Sequence, residues 1–113
     1  MRAVVTVIGK DTVGILTKVS GICTEYNANV IEVTQSVLQD MFAMIMLVDI
    51  SRLNNNFTEL VTRMNSLGEE LGLQIHTMHE EIFNTMKKIF TLVFINIFNG
   101  QKHGQIMSVL YCF

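Results

Sequence analysis

The feature that most constrains the fold is a pair of strand-like segments separated only by Gln39 and Asp40. Residues 30–38 alternate between apolar and polar side chains, with Ile31 and Val33 expected on the same, apolar side. Residues 41–50 are almost continuously apolar, as expected of a strand that is covered on both faces. Such a short connection predicts a β-hairpin, in which the two strands run antiparallel.

The remaining segments complete a βαββαβ order. Residues 3–8 are rich in β-branched side chains and residues 73–79 alternate, so both predict strands. Apolar side chains at helical spacing predict one helix over residues 12–26, capped by Asp11 or Thr12, and a second helix that starts at Phe57 and stops at Gly72. The buried face of the first helix is predicted to consist of Val13, Leu16, Val19, Cys23 and Tyr26.

This order favours an α+β, ferredoxin-like fold. In that fold two right-handed crossovers produce a four-stranded antiparallel sheet with both helices on one face. The strands over residues 3–8 and 41–50 are then central, in agreement with their apolar character. The strand over residues 30–38 becomes an edge of the sheet.

The composition suits a single domain with an apolar core. Of the 113 residues 50% are hydrophobic, and the formal net charge is −2, so the clustered basic face of a nucleic-acid-binding protein is not expected. The apolar runs near the C-terminus are too short to cross a bilayer as helices, and no signal peptide precedes the first strand. With only two cysteines, the sequence predicts a cytoplasmic location and no membrane association.

A glycine-bounded turn lies between the first strand and the first helix, and it is the candidate ligand site. Glycine lets the backbone come close to a ligand, and the start of the helix offers free N–H groups with a partial positive charge. This arrangement suits a carboxylate group. In the alternative explanation the glycines only permit a tight corner, and Asp11 caps the helix. The turn consists of Gly9, Lys10, Asp11, Thr12, Val13, Gly14 and Ile15.

Neither catalysis nor metal binding is indicated by the sequence. No nucleophilic side chain has an evident base beside it. His76 and His79 are three residues apart on a predicted strand, so they point to opposite faces and are poorly placed to share a metal ion. Asp11 occupies the position where a dinucleotide-binding turn needs glycine. We therefore expect no catalytic residues, no metal and no cofactor.

The chain resembles the ACT domain, in particular the small stand-alone ACT proteins of bacteria and archaea. The resemblance rests on the element order, on the turn Gly9-x-Asp11-x-x-Gly14-Ile15-Leu16, and on Asn29-Val30-Ile31 at the opening of the second strand. It extends over residues 1–89, which we assign to one ACT domain. Residues 90–113 form an apolar C-terminal extension that could pack on the open sheet face, seal a dimer, or have no selected role.

The resemblance implies a non-catalytic regulatory module that binds an amino acid or a similar small ligand at a homodimer interface. In the family, the position of Gly14 ends the turn that approaches the ligand, and the position of Asp11 often contacts it. Asn29 matches an asparagine that the neighbouring subunit contributes, so Asn29, Val30 and Ile31 complete the expected site. An exposed edge strand independently favours pairing between two copies. The alternative is a protein-interaction module that docks on an enzyme or regulator without a small ligand.

Overall fold

The computed structural model describes residues 1–86 and has the predicted βαββαβ order. The four strands form one antiparallel sheet in the order β2-β3-β1-β4, so β1 and β3 are central and β2 is an edge, as predicted. The α+β, ferredoxin-like fold is thereby confirmed, whereas the extension over residues 90–113 lies outside the described residues. The elements are β1 (Arg2–Lys10), α1 (Ile15–Glu25), β2 (Asn29–Leu38), β3 (Met41–Asp49), α2 (Phe57–Leu71) and β4 (Gln74–His79).

Both helices pack on the same face of the sheet, where they enclose the main core. Its fully buried side chains include Val5, Val7, Val19, Met44, Met46, Leu60 and Met64. The opposite face carries a smaller apolar cluster around Phe83, which belongs to the helical residues 80–86. Because β3 contributes to both clusters, its side chains must be apolar on both faces, which explains its nearly continuous apolar sequence. No helix within residues 1–86 is long and apolar enough to span a bilayer.

The β2–β3 hairpin contains a β-bulge at Ile31. The pairing keeps one register from the hairpin turn to the middle of β2 and then shifts by one residue, so that Asn29 lies opposite Asp49. The prediction that Ile31 and Val33 share a side is therefore wrong. The extra residue puts Val30 on the side of Val33, and both pack against the main core.

Helix α1 begins at Ile15, three residues later than the sequence pattern predicts. Gly14 is the residue before the helix and has a left-handed conformation with φ of 85°, and no side chain caps the helix. The backbone N–H of Asp11 donates instead to the carbonyl oxygen of Asp40 at 2.7 Å. The predicted cap by Asp11 or Thr12 is wrong, because this hydrogen bond ties the segment to the β2–β3 hairpin before the chain turns into the helix.

The buried face of α1 differs from the predicted one at its start. Val13 is 98% exposed and Leu16 is also exposed, whereas Ile15 and Ile22 are buried. The change follows from the later helix start, since Val13 precedes the helix and does not share its periodicity. Three predicted members of the face do contact the core: Val19, Cys23 and, in part, Tyr26.

Candidate functional site

The predicted glycine turn divides among three elements. Gly9 and Lys10 are the last residues of β1, and Ile15 is the first residue of α1, so the turn itself consists of residues 11–14. Its side chains face solvent, and Val13 forms an almost fully exposed apolar tip. The predicted residues are thus contiguous in space, and residues 11–14 are accessible to a ligand.

The start of α1 supplies backbone hydrogen-bond donors beside this turn. The N–H of Lys18 donates to the carbonyl oxygen of Gly14 at 3.0 Å, which is the first hydrogen bond of the helix. The N–H groups of Ile15, Leu16 and Thr17 therefore have no acceptor within the helix and lie at its positive end. An anionic group near the turn would meet backbone donors here.

The two glycines that bound the predicted turn have different structural roles. A Cβ atom at Gly9 would lie 2.5 Å from Cδ2 and 3.3 Å from Cα of Leu73, in the α2–β4 connection. Gly9 is therefore required for close packing, which supports the structural explanation at that position. A Cβ atom at Gly14 would have nothing within 4 Å, so its φ of 85° alone explains the glycine.

The other predicted contributors, Asn29, Val30 and Ile31, begin β2 at the opposite end of the sheet, and Asn29 is the first of them. It pairs with Asp49, whereas Lys10, next to the turn, pairs with Met41. The two positions are separated by the length of β3, or roughly 26 Å at ~3.3 Å per residue. Within one chain the structure does not bring Asn29 and the turn together.

Asn29 lines a polar depression that we call the β2–β3 niche. The niche has a volume of about 390 Å³ and is lined by Asn27, Asn29, Asp49 and Arg52. Asn27, Asp49 and Arg52 were not predicted as site residues. A regular hairpin counted from its turn would place Asn29 opposite Ile50, and the bulge at Ile31 brings Asp49 there instead.

Hydrogen bonds order Asn27, Asp49 and the backbone of Arg52 around the niche. Asn27, with φ of 59°, donates from Nδ2 to the carbonyl oxygen of Arg52 at 2.8 Å. The backbone N–H of Ser51 donates to Oδ1 of Asp49 at 2.9 Å. Hydrogen bonds from Ser51, first through its side chain and then through its backbone, lower the pKa of the Asp49 carboxyl group. The loop after β3 is therefore fastened to the α1–β2 connection without a ligand.

A second polar depression at the same end of the sheet has charges that are already paired. It has a volume of about 380 Å³ and is lined by Met1, Arg2, His79, Glu80 and Glu81. Nη2 of Arg2 lies 2.8 Å from Oε2 of Glu80, and His79 stacks on Phe57 with ring centroids 4.2 Å apart. Arg52, by contrast, has no hydrogen bond or ion pair through its guanidinium within the described part of the chain. Across residues 1–86, no cluster of His, Cys, Asp or Glu could hold a metal ion.

The antiparallel βαββαβ sheet, with a glycine turn at one end and an asparagine-lined niche at the other, defines a small ferredoxin-like domain. The sequence profile of the ACT domain matches residues 2–78, and the chain belongs to the ACT-domain family. The resemblance stated from the turn and the opening of the second strand is thereby confirmed. ACT domains are typically regulatory, ligand-binding modules.

Related proteins of bacteria and archaea cover nearly the same segment. A UPF0237 protein of Listeria innocua is 47% identical over 89 residues, which are 79% of this chain and 100% of that protein. A UPF0237 protein of Methanocaldococcus jannaschii is 44% identical over 88 residues, or 78% of this chain and 98% of that protein. The solved structure of an ACT domain protein from Streptococcus pneumoniae has a TM-score of 0.64 and 34% identity, covering 74% of this chain and 93% of that one.

Proposed function

We propose that this protein is a non-catalytic regulatory module that senses an amino acid, or a small ligand of similar chemistry, at the interface of a homodimer. The observation that carries the proposal is the placement of residues 11–14 and Asn29 at opposite ends of one sheet whose edge strand is β2. A second copy paired along β2 would bring its own Asn29 to the end where the first copy has its turn. The regulatory character of the ACT-domain family supports this function.

The β2 edge has the properties of a pairing surface. Within the described residues β2 has a neighbour only on the β3 side, so the backbone groups of its outer side are available. Ile31 is 47% exposed and Val37 is 43% exposed along this strand. An isologous pair places the two β2 strands antiparallel, joins the two sheets and shields apolar side chains from water.

The two halves of the proposed site carry groups that match an amino acid. The turn end offers the backbone N–H groups at the start of α1 and the carboxylate of Asp11. The other end offers the carboxamide of Asn29, with both a donor and an acceptor. A ligand that binds one arrangement of the dimer more tightly than another would shift the equilibrium between them, which is how such a module regulates.

The proposal is tested by isothermal titration calorimetry of the full chain with each of the twenty L-amino acids. We expect at least one amino acid to bind, and we expect the substitutions Asp11→Asn and Asn29→Ala each to abolish the heat of binding. The matched control is Asp40→Asn, because Asp40 is also exposed but contributes only its backbone carbonyl to the turn. If none of the twenty amino acids gives heat at millimolar concentration, the proposal is wrong.

A complementation experiment tests whether two subunits share the site. Co-expression of the Asp11→Asn and Asn29→Ala chains produces mixed dimers in which one site combines an intact turn with an intact Asn29. With random pairing, about one quarter of all sites should recover binding, although neither variant binds alone. Recovery of none would show that the turn and Asn29 do not act across the interface.

The alternative function is docking on an enzyme or regulator without a small ligand. The exposed Val13 and Leu16, three residues apart around the start of α1, favour it, since exposed apolar side chains that lie close together mark protein-protein contacts. In that case the Asp11→Asn variant keeps partner binding, whereas Val13→Ser weakens it. Amino-acid titrations then give no heat with the unmodified protein, which separates the two functions.

A further inference from the structure

The β2–β3 niche contains two opposite charges that do not neutralise each other by direct contact. Asp49 and Arg52 both line the niche, but no ion pair within residues 1–86 joins them. At the same end of the sheet, Arg2 and Glu80 do form such a pair, with Nη2 and Oε2 2.8 Å apart. A carboxylate and a guanidinium therefore line one depression without forming an ion pair, and each retains hydrogen-bonding capacity.

The hydrogen bonds around the niche fix the backbone on which these two charges stand. Asn27 holds the carbonyl oxygen of Arg52, and the N–H of Asn54 donates to the carbonyl oxygen of Tyr26 at 3.2 Å. Asp49 ends β3 and accepts the hydrogen bond from Ser51. A ligand that binds here would not have to order the loop first, which reduces the entropy lost on binding.

The size and chemistry of the niche define the ligand group that it fits. A volume of about 390 Å³ is sufficient for a small polar molecule. Arg52 can bind a carboxylate through two parallel hydrogen bonds, and the carboxylate of Asp49 can accept hydrogen bonds from an ammonium group. The side-chain oxygen of Asn29 is a second acceptor for that ammonium group.

We propose that the niche binds the zwitterionic head group of a free α-amino acid, with its carboxylate on Arg52 and its ammonium group on Asp49 and Asn29. This inference rests on the proposed function, because it takes the ligand to be an amino acid. It deepens that function by adding Asp49 and Arg52 to the site and by assigning the head group to them. In this assignment Asp11 and the N–H groups at the start of α1 of the other copy contact the side chain of the ligand instead of its α-carboxylate.

Calorimetry with matched ligands and variants tests the inference. Each amino acid that binds the full chain is compared with the acid that lacks its ammonium group and with the amine that lacks its carboxylate. Both analogues are expected to bind at least ~10-fold more weakly than the amino acid, because each leaves one charge of the niche without a partner. The Arg52→Gln and Asp49→Asn variants are each expected to bind the amino acid more weakly than the unmodified chain, by a similar factor.

The controls separate a local loss of charge from a loss of structure. Asparagine at position 49 can still accept the hydrogen bond from Ser51, so the loop is retained and the melting temperature should stay nearly constant. Arg63→Gln removes an exposed arginine outside the niche, whose ion pair with Glu25 is 4.0 Å long, and should change the affinity less than ~2-fold.

Each outcome has a distinct meaning. If an amino acid binds and depends on Asp11 and Asn29 but not on Arg52 and Asp49, the inference is overturned while the proposed function stands. Analogues that bind as tightly as the amino acid overturn it as well. If no amino acid binds the unmodified chain, both proposals fail together.

Discussion

The two ends of the sheet present different chemistry to solvent. At the turn end, residues 11–14 have exposed side chains, and Gly14 determines the backbone path into α1. At the niche end, Asn27, Ser51 and Arg52 are joined to their surroundings by hydrogen bonds. One end thus offers backbone donors whose path is set by Gly14, and the other offers side chains that stand on a hydrogen-bonded backbone. The two halves of the proposed site are therefore ordered by different means: the conformation of Gly14 at the turn end, and side-chain hydrogen bonds at the niche end.

The largest stability effect is expected from Gly9→Ala at the turn end. The added methyl group would meet Leu73, including its backbone, and should lower the free energy of unfolding by ~1–3 kcal/mol. Urea denaturation measures the change. Gly21→Ala is the control, because nothing lies within 4 Å of a Cβ atom at Gly21 in the middle of α1, and it should stabilise by ~0.5–1 kcal/mol. Equal effects of the two substitutions would contradict the packing role of Gly9.

A somewhat smaller decrease in the free energy of unfolding is expected from Gly14→Ala. The added methyl group would have nothing within 4 Å. The decrease in unfolding free energy of ~1–2 kcal/mol therefore arises only from forcing alanine into a left-handed conformation. Gly14→Asn should lose less, since asparagine tolerates that conformation better. Denaturation curves of the two variants decide the matter, and an alanine variant as stable as the wild type would show that the turn does not require a left-handed residue.

At the niche end, Asn27→Asp should lower the free energy of unfolding by ~1 kcal/mol. The substitution removes the Nδ2 donor that binds the carbonyl oxygen of Arg52. Asn55→Asp introduces the same charge at an exposed position of the loop after β3 and is the matched control, with an expected change within ~0.5 kcal/mol. If both variants lose the same stability, the added charge rather than the lost hydrogen bond is responsible.

The smallest effect is a pH dependence due to Asp49. Its pKa is lowered in the folded protein, chiefly by the hydrogen bonds from Ser51. The stabilisation is therefore fully present above the unfolded pKa of ~3.9 and is lost as the pH falls through the lower, folded pKa. Between neutral pH and about pH 3, the melting temperature of the wild type should decrease more than that of Asp49→Asn. Parallel decreases would mean that Asp49 does not contribute.

The fold could be predicted because its main signals are local. The alternation in β2 and the apolar run in β3 lie on either side of a two-residue break, so the hairpin follows from adjacent segments. Gly72 ends α2 with φ of 70°, as its position after an apolar helix predicts. These patterns do not depend on distant parts of the chain, and the element order follows from them.

The start of α1 could not be predicted because it depends on a distant contact. Thr12 and Val13 fit the helical spacing, and Asp11 is a good capping residue. In the folded protein the N–H of Asp11 is instead bound to Asp40, and the chain reaches its helical path only after Gly14. Local propensity was outweighed by a hydrogen bond between residues far apart in sequence.

The presence of Asp49 in the niche could not be predicted from the sequence for a related reason. Nothing in the sequence around Ile31 marks it as an extra residue, and regular counting places Asn29 opposite Ile50. The bulge changes the partner of Asn29 to Asp49 and so brings a charge beside this predicted site residue. A shift of one residue was enough to conceal Asp49 as a member of the candidate site.

The burial of Cys23 has a practical consequence for observing this protein at work. Desolvation raises the pKa of its thiol to about 11, which leaves about one molecule in ten thousand as thiolate at neutral pH. Alkylation of Cys23 should then require a local opening that exposes its thiol, and peptide mass mapping distinguishes this label from one on Cys112. A ligand bound at the turn that leads into α1 would slow this labelling, so the rate of Cys23 alkylation would report whether the site is occupied.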